Sequence, residues 1–202
     1  MKKLLVLLFI TQSCYSQQFD TIFNNGFYKS YFSYQLQEPL YVTYKLYKGG
    51  GECGRESFNF KNDTELQMAD NEEYTKSGYD RGHLANAEDF AYDCQAEETT
   101  FRYHNCLPQT PNMNRGIWKT WETKIRKVSQ TDSLLIITGG IWGKKRINNM
   151  AIPDKCWKVV MSLTTNKVIY CFVCTNTNKS SCRVMSLQEL EKLLNRKLLI
   201  TK

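Results

Sequence analysis

Histidine is almost absent from this chain: His83 and His104 are the only two among 202 residues. If an imidazole does proton chemistry here, there are two candidates. Proline is scarce as well, at four residues, and no Pro-rich or Gly/Ser-rich linker, low-complexity tract or internal repeat interrupts the sequence. Nothing marks a string of modules, and the length suits one domain. After the first ten residues no stretch is long and apolar enough to span a bilayer. Acids are outnumbered, 20 against 27 basic residues, for a net charge of +7. A modest positive balance favours polyanionic partners but specifies none.

What is present begins with "MKKLLVLLFITQSCYSQQ". Lys2 and Lys3 form a positive start, residues 4–10 a short apolar run, and Ser13 and Ser16 offer small residues for cleavage. This is the pattern of a secretory signal peptide over residues 1–16, leaving a single domain over residues 17–202. Its removal takes two lysines and no acid. The expected location is secreted or periplasmic, with a lipid anchor at Cys14 as the minor alternative. The eight cysteines are Cys14, Cys53, Cys94, Cys106, Cys156, Cys171, Cys174 and Cys182. In an exported chain cleaved after Ser16, they predict disulfides with one thiol left over, in a pairing the sequence does not give. "CFVC" with Cys182 admits a zinc site, but it lies in a stretch that reads as a strand and lacks a nearby fourth ligand.

Residues 39–51 alternate, are rich in β-branched and aromatic side chains, and end in three glycines: a strand, then a turn. Residues 51–73 are polar and irregular. Residues 80–90 read as a loop or short hairpin, and residues 95–103 as a helical turn. The clearest helix lies in "NRGIWKTWETKIRKVSQ", where Trp118, Trp121, Ile125 and Val128 make one apolar stripe and Asn112 or Asn114 is placed to cap the start. Residues 133–143 read as a buried strand ending in a glycine turn. "KCWKVVMSL" and "KVIYCFVC" read as a β-hairpin. Ser186 and Glu189 stand in capping-box spacing ahead of a leucine stripe, which predicts a terminal helix over residues 186–197. Hairpins with a few helices point to an α+β fold, a central antiparallel sheet flanked by helices.

The stretch "SGYDRGHLANAEDF" concentrates the chemistry. A lone histidine is more often structural than catalytic. Here, though, Gly78 and Gly82 flank a place where His83 can be pushed toward a ligand. Arg81, two residues away, offers a bidentate fork for phosphate. On the long helix, Glu122 lies roughly 80° round from Asn114 and Arg126 about 40° further, so the three project to one side. A solvated face with an ordinary i, i+4 Glu–Arg pair is the bland alternative.

"YDRGHLANAEDF", "TFRYHNCLPQTPNMNRGIWKTWE", "TGGIWG" and "IPDKCWKVV", in that order, resemble the successive motifs of the DNA/RNA non-specific endonucleases, the ββα-metal nuclease family that includes endonuclease G. The resemblance runs over roughly residues 41–194. It implies a ββα-metal motif and a Mg²⁺-dependent endonuclease acting on DNA and RNA with little sequence preference, with Mn²⁺ as a substitute ion. It implies His83 as the general base that activates water and Asn114 as the direct protein ligand of the metal. Glu122 would hold metal-bound waters, and Arg81 and Arg126 would steady the phosphate. Asn105 would support metal and loop geometry, and Asp80 would orient the loop. The chemistry is coherent without the family, because phosphodiester hydrolysis needs an activated water, charge neutralisation and help for the leaving oxygen.

Two departures stand out. Asn86 occupies a position where the family usually has proline, and Cys156 one where an aromatic or aliphatic residue is common. His104 reads as structural. Three rivals remain: an inactive nucleic-acid-binding module on the same fold, a disulfide-rich extracellular structural protein, and the same chemistry aimed at a narrower target. The first would lack the base or the amide ligand, and the second leaves the ordered polar motifs unexplained. The oligomeric state is not legible.

Overall fold

The computed structural model describes residues 19–62 and 64–198. The signal-peptide expectation and Cys14 lie outside the described residues. Among them, seven strands form one antiparallel sheet: β1 (Thr21–Asn24), β2 (Tyr28–Ser33), β3 (Glu38–Leu46), β6 (Leu134–Ile147), β7 (Met150–Ser162), β8 (Val168–Thr175) and β9 (Cys182–Val184), in that spatial order. Two more strands, β4 (Asp80–His83) and β5 (Cys106–Gln109), pair antiparallel in a small second sheet. Four helices accompany them: α1 (Asn71–Tyr74), α2 (Cys94–Thr99), α3 (Lys119–Ser129) and α4 (Leu187–Leu194). The fold is α+β, a central antiparallel sheet flanked by helices, as the sequence indicates. The run β4, β5, α3 is a ββα unit.

The central strands are long and covered on both faces, so their side chains alternate between two cores. Leu134, Ile136, Cys156, Val160, Phe172 and Cys174 point to the side that carries Trp118, Ile125, Leu84 and Leu107. Leu135, Ile137, Trp157, Val159 and Val173 point the other way, onto Leu190 and Leu198. The ββα unit thus covers one face of the sheet and α4 the other. Ser186 accepts a hydrogen bond from Glu189 N–H, and the Glu189 carboxylate accepts from Ser186 N–H, completing the expected capping box of α4.

Several local expectations change. β4 does not close a local hairpin within residues 80–90; its partner is β5, with Asp80 opposite Gln109 and His83 opposite Cys106. The glycines of "TGGIWG" make no turn. β6 continues through them, and a Cβ at Gly139 would meet the Leu40 carbonyl at 2.2 Å, so glycine is there for close strand approach. Neither Asn112 nor Asn114 caps the long helix. The Asn112 amide donates to Asn178 O at 2.9 Å and the Asn114 amide to Asp80 at 2.9 Å. The helical path enters through a π-like turn, Met113–Trp118, bent where Gly116 leaves helical geometry (φ −104°, ψ −109°).

The cysteine expectation needs correction too. Cys53–Cys94 and Cys174–Cys182 are disulfides, but Cys106, Cys156 and Cys171 are all free and buried. Cys156 and Cys182 both lie directly across from Cys174 in the ladder, and Cys182 takes the bond. Cys171 belongs to the opposite core, and Cys106 lies beside the Tyr74 hydroxyl. No zinc site forms at "CFVC": no cluster of three or more His, Cys, Asp or Glu residues able to hold a metal exists among the described residues.

Candidate active site

Two arms meet over the sheet. The first is β4 with the loop behind it. Gly82 is required there, since a Cβ would fall 2.2 Å from the Gln109 side chain. His83 follows, its ring 4.8 Å from that of Phe60 and 4.7 Å from that of Phe101. Its Nε2 is buried without a hydrogen-bond partner among the described residues. Burial, and secondly the positive charge of Arg55, push the imidazole down to about 3, so the ring is neutral at physiological pH with an unused nitrogen. The loop carrying Arg55 is held by the Cys53–Cys94 disulfide and by Gly51, where a Cβ would sit 2.1 Å from Ala91 O.

Asn105 is fully buried and acts on this arm from behind. Its amide oxygen accepts from Ala85 N at 2.9 Å, and its nitrogen donates to Ala85 O at 3.0 Å and Thr100 O at 2.9 Å. It fixes the loop after His83 and does not line the cleft. His104 is buried and stacked on Phe23, centroids 4.5 Å apart, in a structural setting.

The second arm is the bent helix. Asn114 donates its amide N–H to Asp80 Oδ2 at 2.9 Å. The same carboxylate receives Arg115 through Nε at 2.8 Å and Nη2 at 2.5 Å. Burial raises the Asp80 pKa, but the hydrogen bonds and charge of Arg115, with the Asn114 amide, outweigh it and leave the carboxyl below its ordinary range. One turn and more along, Glu122 is buried. Burial raises its pKa, against the nearby Lys158 ammonium, 3.4 Å away. Lys158 is itself 1% exposed and lies 4.7 Å over the Trp118 ring. Arg126 donates to Asp89 Oδ1 at 2.9 Å and to Asn86 Oδ1 at 2.8 Å. Asn86, where proline was the expectation, therefore supplies a carbonyl that orients this guanidinium.

His83, Asn114, Glu122 and Arg126 line one cleft of about 710 Å³ together with Arg55, Arg115, Lys119 and Asn86. The structure thus gathers four of the six sequence-predicted site residues. Arg81 is not among them. It lines a neighbouring depression that shares Phe101, Asn114 and Arg115, with its guanidinium 4.9 Å over Tyr74 and a hydrogen bond to Asn71. Sequence reasoning missed Arg55, Arg115, Lys119, Lys158 and Asp89. Only Arg115, beside Asn114, had a positional signal.

Fold and cleft together define a ββα unit that sets a neutral histidine against an amide, a buried acid and a rim of cations. The model of the family described as DNA/RNA non-specific endonuclease matches residues 9–197, and the chain belongs to that family. A nuclease of Nostoc sp. is 39% identical over 93 residues, covering 45% of this chain and 34% of that protein. Bovine mitochondrial endonuclease G is 30% identical over 142 residues, covering 60% of this chain and 48% of that protein. The chain therefore spans half or less of the length of these relatives. A chain of the solved EndoG/EndoGI complex shares the fold, with a TM-score of 0.77 at 22% identity over 88% of this chain and 84% of that one.

Proposed function

We propose that the protein is an exported, metal-dependent endonuclease that hydrolyses the phosphodiester bonds of DNA and RNA with little sequence preference. The observation that carries this reading is the unpartnered Nε2 of a neutral His83 in the same cleft as Asn114 and Arg126. In the reaction, His83 Nε2 accepts a proton from water as the water oxygen bonds to phosphorus and the P–O3′ bond breaks. Arg126, pre-aimed by Asp89 and Asn86, and the exposed Arg115 and Lys119 offset charge on the phosphate. Contacts from these groups to phosphate would carry no base information, in keeping with low specificity.

The donor set fits a hard divalent cation. The Asn114 nitrogen is committed to Asp80, which leaves its carbonyl oxygen as the acceptor, and Glu122 supplies an acid oxygen in the same cleft. Such a sparse oxygen set suits Mg²⁺, which keeps several waters, with Mn²⁺ as a substitute. A bound divalent ion would supply Lewis-acid stabilisation of the phosphate and the leaving oxygen. Asn114 would hold it directly and Glu122 through water, with Lys158 keeping Glu122 in place.

Export rests on the N-terminal pattern and on the two disulfides, which persist in oxidising compartments. Among the described residues no helix is long and apolar enough to cross a membrane. The test is degradation of supercoiled plasmid and of total RNA by oxidised protein in Mg²⁺, Mn²⁺ or EDTA, beside His83→Ala. Loss of both substrates only with metal and only in the wild type supports the reading. No cleavage in either ion overturns it and leaves a nucleic-acid-binding module.

A further inference from the structure

The hairpin that joins β6 to β7 departs from a regular ladder in two places, between Ile141 and Trp142 and, more widely, between Trp142 and Arg146. Trp142 pairs with Pro153 and Arg146 with Ala151. Between these pairs β6 supplies Gly143, Lys144 and Lys145, whereas β7 supplies Ile152 alone. The surplus is a β-bulge, a device that re-aims side chains. Ile152 stays in the core, and Lys144 and Lys145 are turned out to solvent. The bulge is held at its end. At its start, the Asp154 carboxylate lies where a Cβ at Gly143 would come, 2.2 Å away. Arg146 pins the hairpin by donating to Asn149 O at 2.6 Å and Gln35 O at 2.7 Å.

The bulge leans on the site. The Lys145 ammonium lies 5.1 Å over the Tyr79 ring and hydrogen-bonds its hydroxyl. Tyr79 directly precedes Asp80, which carries Arg115 and Asn114. Arg115 is exposed over 72% of its side chain and borders both the cleft and the adjoining depression. Lys145 is thus linked to Arg115 and the cleft rim through Tyr79 and its neighbour Asp80. The carboxylates beside this path are Asp80, already matched by Arg115, and Asp154, which is exposed next to Gly143. Neither Lys144 nor Lys145 makes an ion pair within 4.0 Å among the described residues. Two adjacent, uncompensated ammonium groups on a stiff support match the regularly spaced charge of a polynucleotide backbone.

We infer that Lys144 and Lys145 form an accessory phosphate-contact surface, which holds the backbone of DNA or RNA beyond the scissile bond and lengthens the footprint of the cleft. The inference rests on the nuclease reading for its substrate, but it can be tested apart from catalysis. The variants are Lys144→Ala/Lys145→Ala and the charge-conserving Lys144→Arg/Lys145→Arg.

Binding of a duplex about 24 bp long would be followed by fluorescence anisotropy in EDTA, from about 50 to 200 mM salt. With about 0.9 in log–log slope per phosphate contact, the alanine pair should flatten the salt dependence by about one to two, and the arginine pair should not. In Mg²⁺, the alanine pair should lower kcat/KM on the same duplex about three- to tenfold and leave cleavage of bis(p-nitrophenyl) phosphate unchanged. An unchanged salt slope with unchanged duplex cleavage overturns the inference, as does an equal loss on the small diester. Should the wild type cleave nothing, the nuclease reading falls while the salt slope still decides whether the bulge holds nucleic acid.

Discussion

The side-chain amide of Asn114 donates to the Asp80 carboxylate across 2.9 Å, and this bond decides which end of the amide faces the cleft. With the nitrogen committed, the carbonyl oxygen is the end left to hold a cation. Arg115 keeps the Asp80 carboxyl ionised, so the acceptor persists into mildly acidic solution. Asp80 therefore acts through Asn114. Asp80→Asn removes the charge while keeping the shape, and its own amide competes for the same orientation. Partners behind a metal ligand commonly contribute 10- to 100-fold in affinity. We expect the Mg²⁺ needed for half-maximal cleavage to rise at least tenfold and Mn²⁺ binding, read by EPR, to weaken in parallel. Unchanged Mn²⁺ affinity would refute the positioning role.

The Asn114 arm is also held from its start. The Asn176 side chain accepts from Thr110 N at 2.8 Å and donates to Pro108 O at 2.8 Å and Pro153 O at 2.9 Å. Asn114 N in turn donates to Thr110 O at 2.9 Å. The Cys174–Cys182 disulfide closes the loop that carries Asn176. One buried amide therefore ties β5, β7 and the root of the arm together. Asn176→Ala leaves three backbone groups unpaired and should cost about 2–4 kcal/mol in urea unfolding. Asn176→Asp keeps the acceptor for Thr110 but turns a carboxylate oxygen toward two carbonyls, and should cost at least as much. A stability equal to wild type for Asn176→Ala would show that water replaces these bonds.

Sequence pattern reached the parts of this molecule that are local. The hairpin of β7 and β8, the capping box of α4 and the apolar stripe through Trp118 and Ile125 each arise from neighbours a few residues apart. Glu122 and Arg126 stand one turn apart on α3, but the path from Asn114 bends at Gly116, so the motif resemblance rather than helical spacing singled these residues out. The rest depends on contacts distant in sequence. β4 finds its partner only after α2, so its strand character was hidden in a glycine-flanked loop. Lys158 looks like the solvent-facing member of an alternating strand, yet both faces of β7 are covered and its ammonium meets Glu122. The Asp89 and Asn86 partners of Arg126 are invisible until the two arms are brought together.

His83 gives a pH signature with a definite sign. Burial, then the Arg55 charge, hold the folded imidazole at about 3, whereas an unfolded chain titrates near the ordinary 6.5. Between these values the unfolded state binds the extra proton. Stability from this group is therefore complete above pH 6.5 and lost as the pH falls toward 3, by about 1.4 kcal/mol per pH unit for a single site. Urea unfolding of the wild type should lose stability over pH 6.5 to 4 more steeply than His83→Asn does. Activity should carry the same mark. If His83 is the base as proposed, it stays neutral well below pH 6, so kcat/KM on duplex DNA should show no fall centred near 6.5 that is traceable to this ring. NMR of the His83 imidazole should find it neutral at pH 5. A ring that titrates near 6.5, with a matching limb in kcat/KM, would refute the burial that depresses this imidazole.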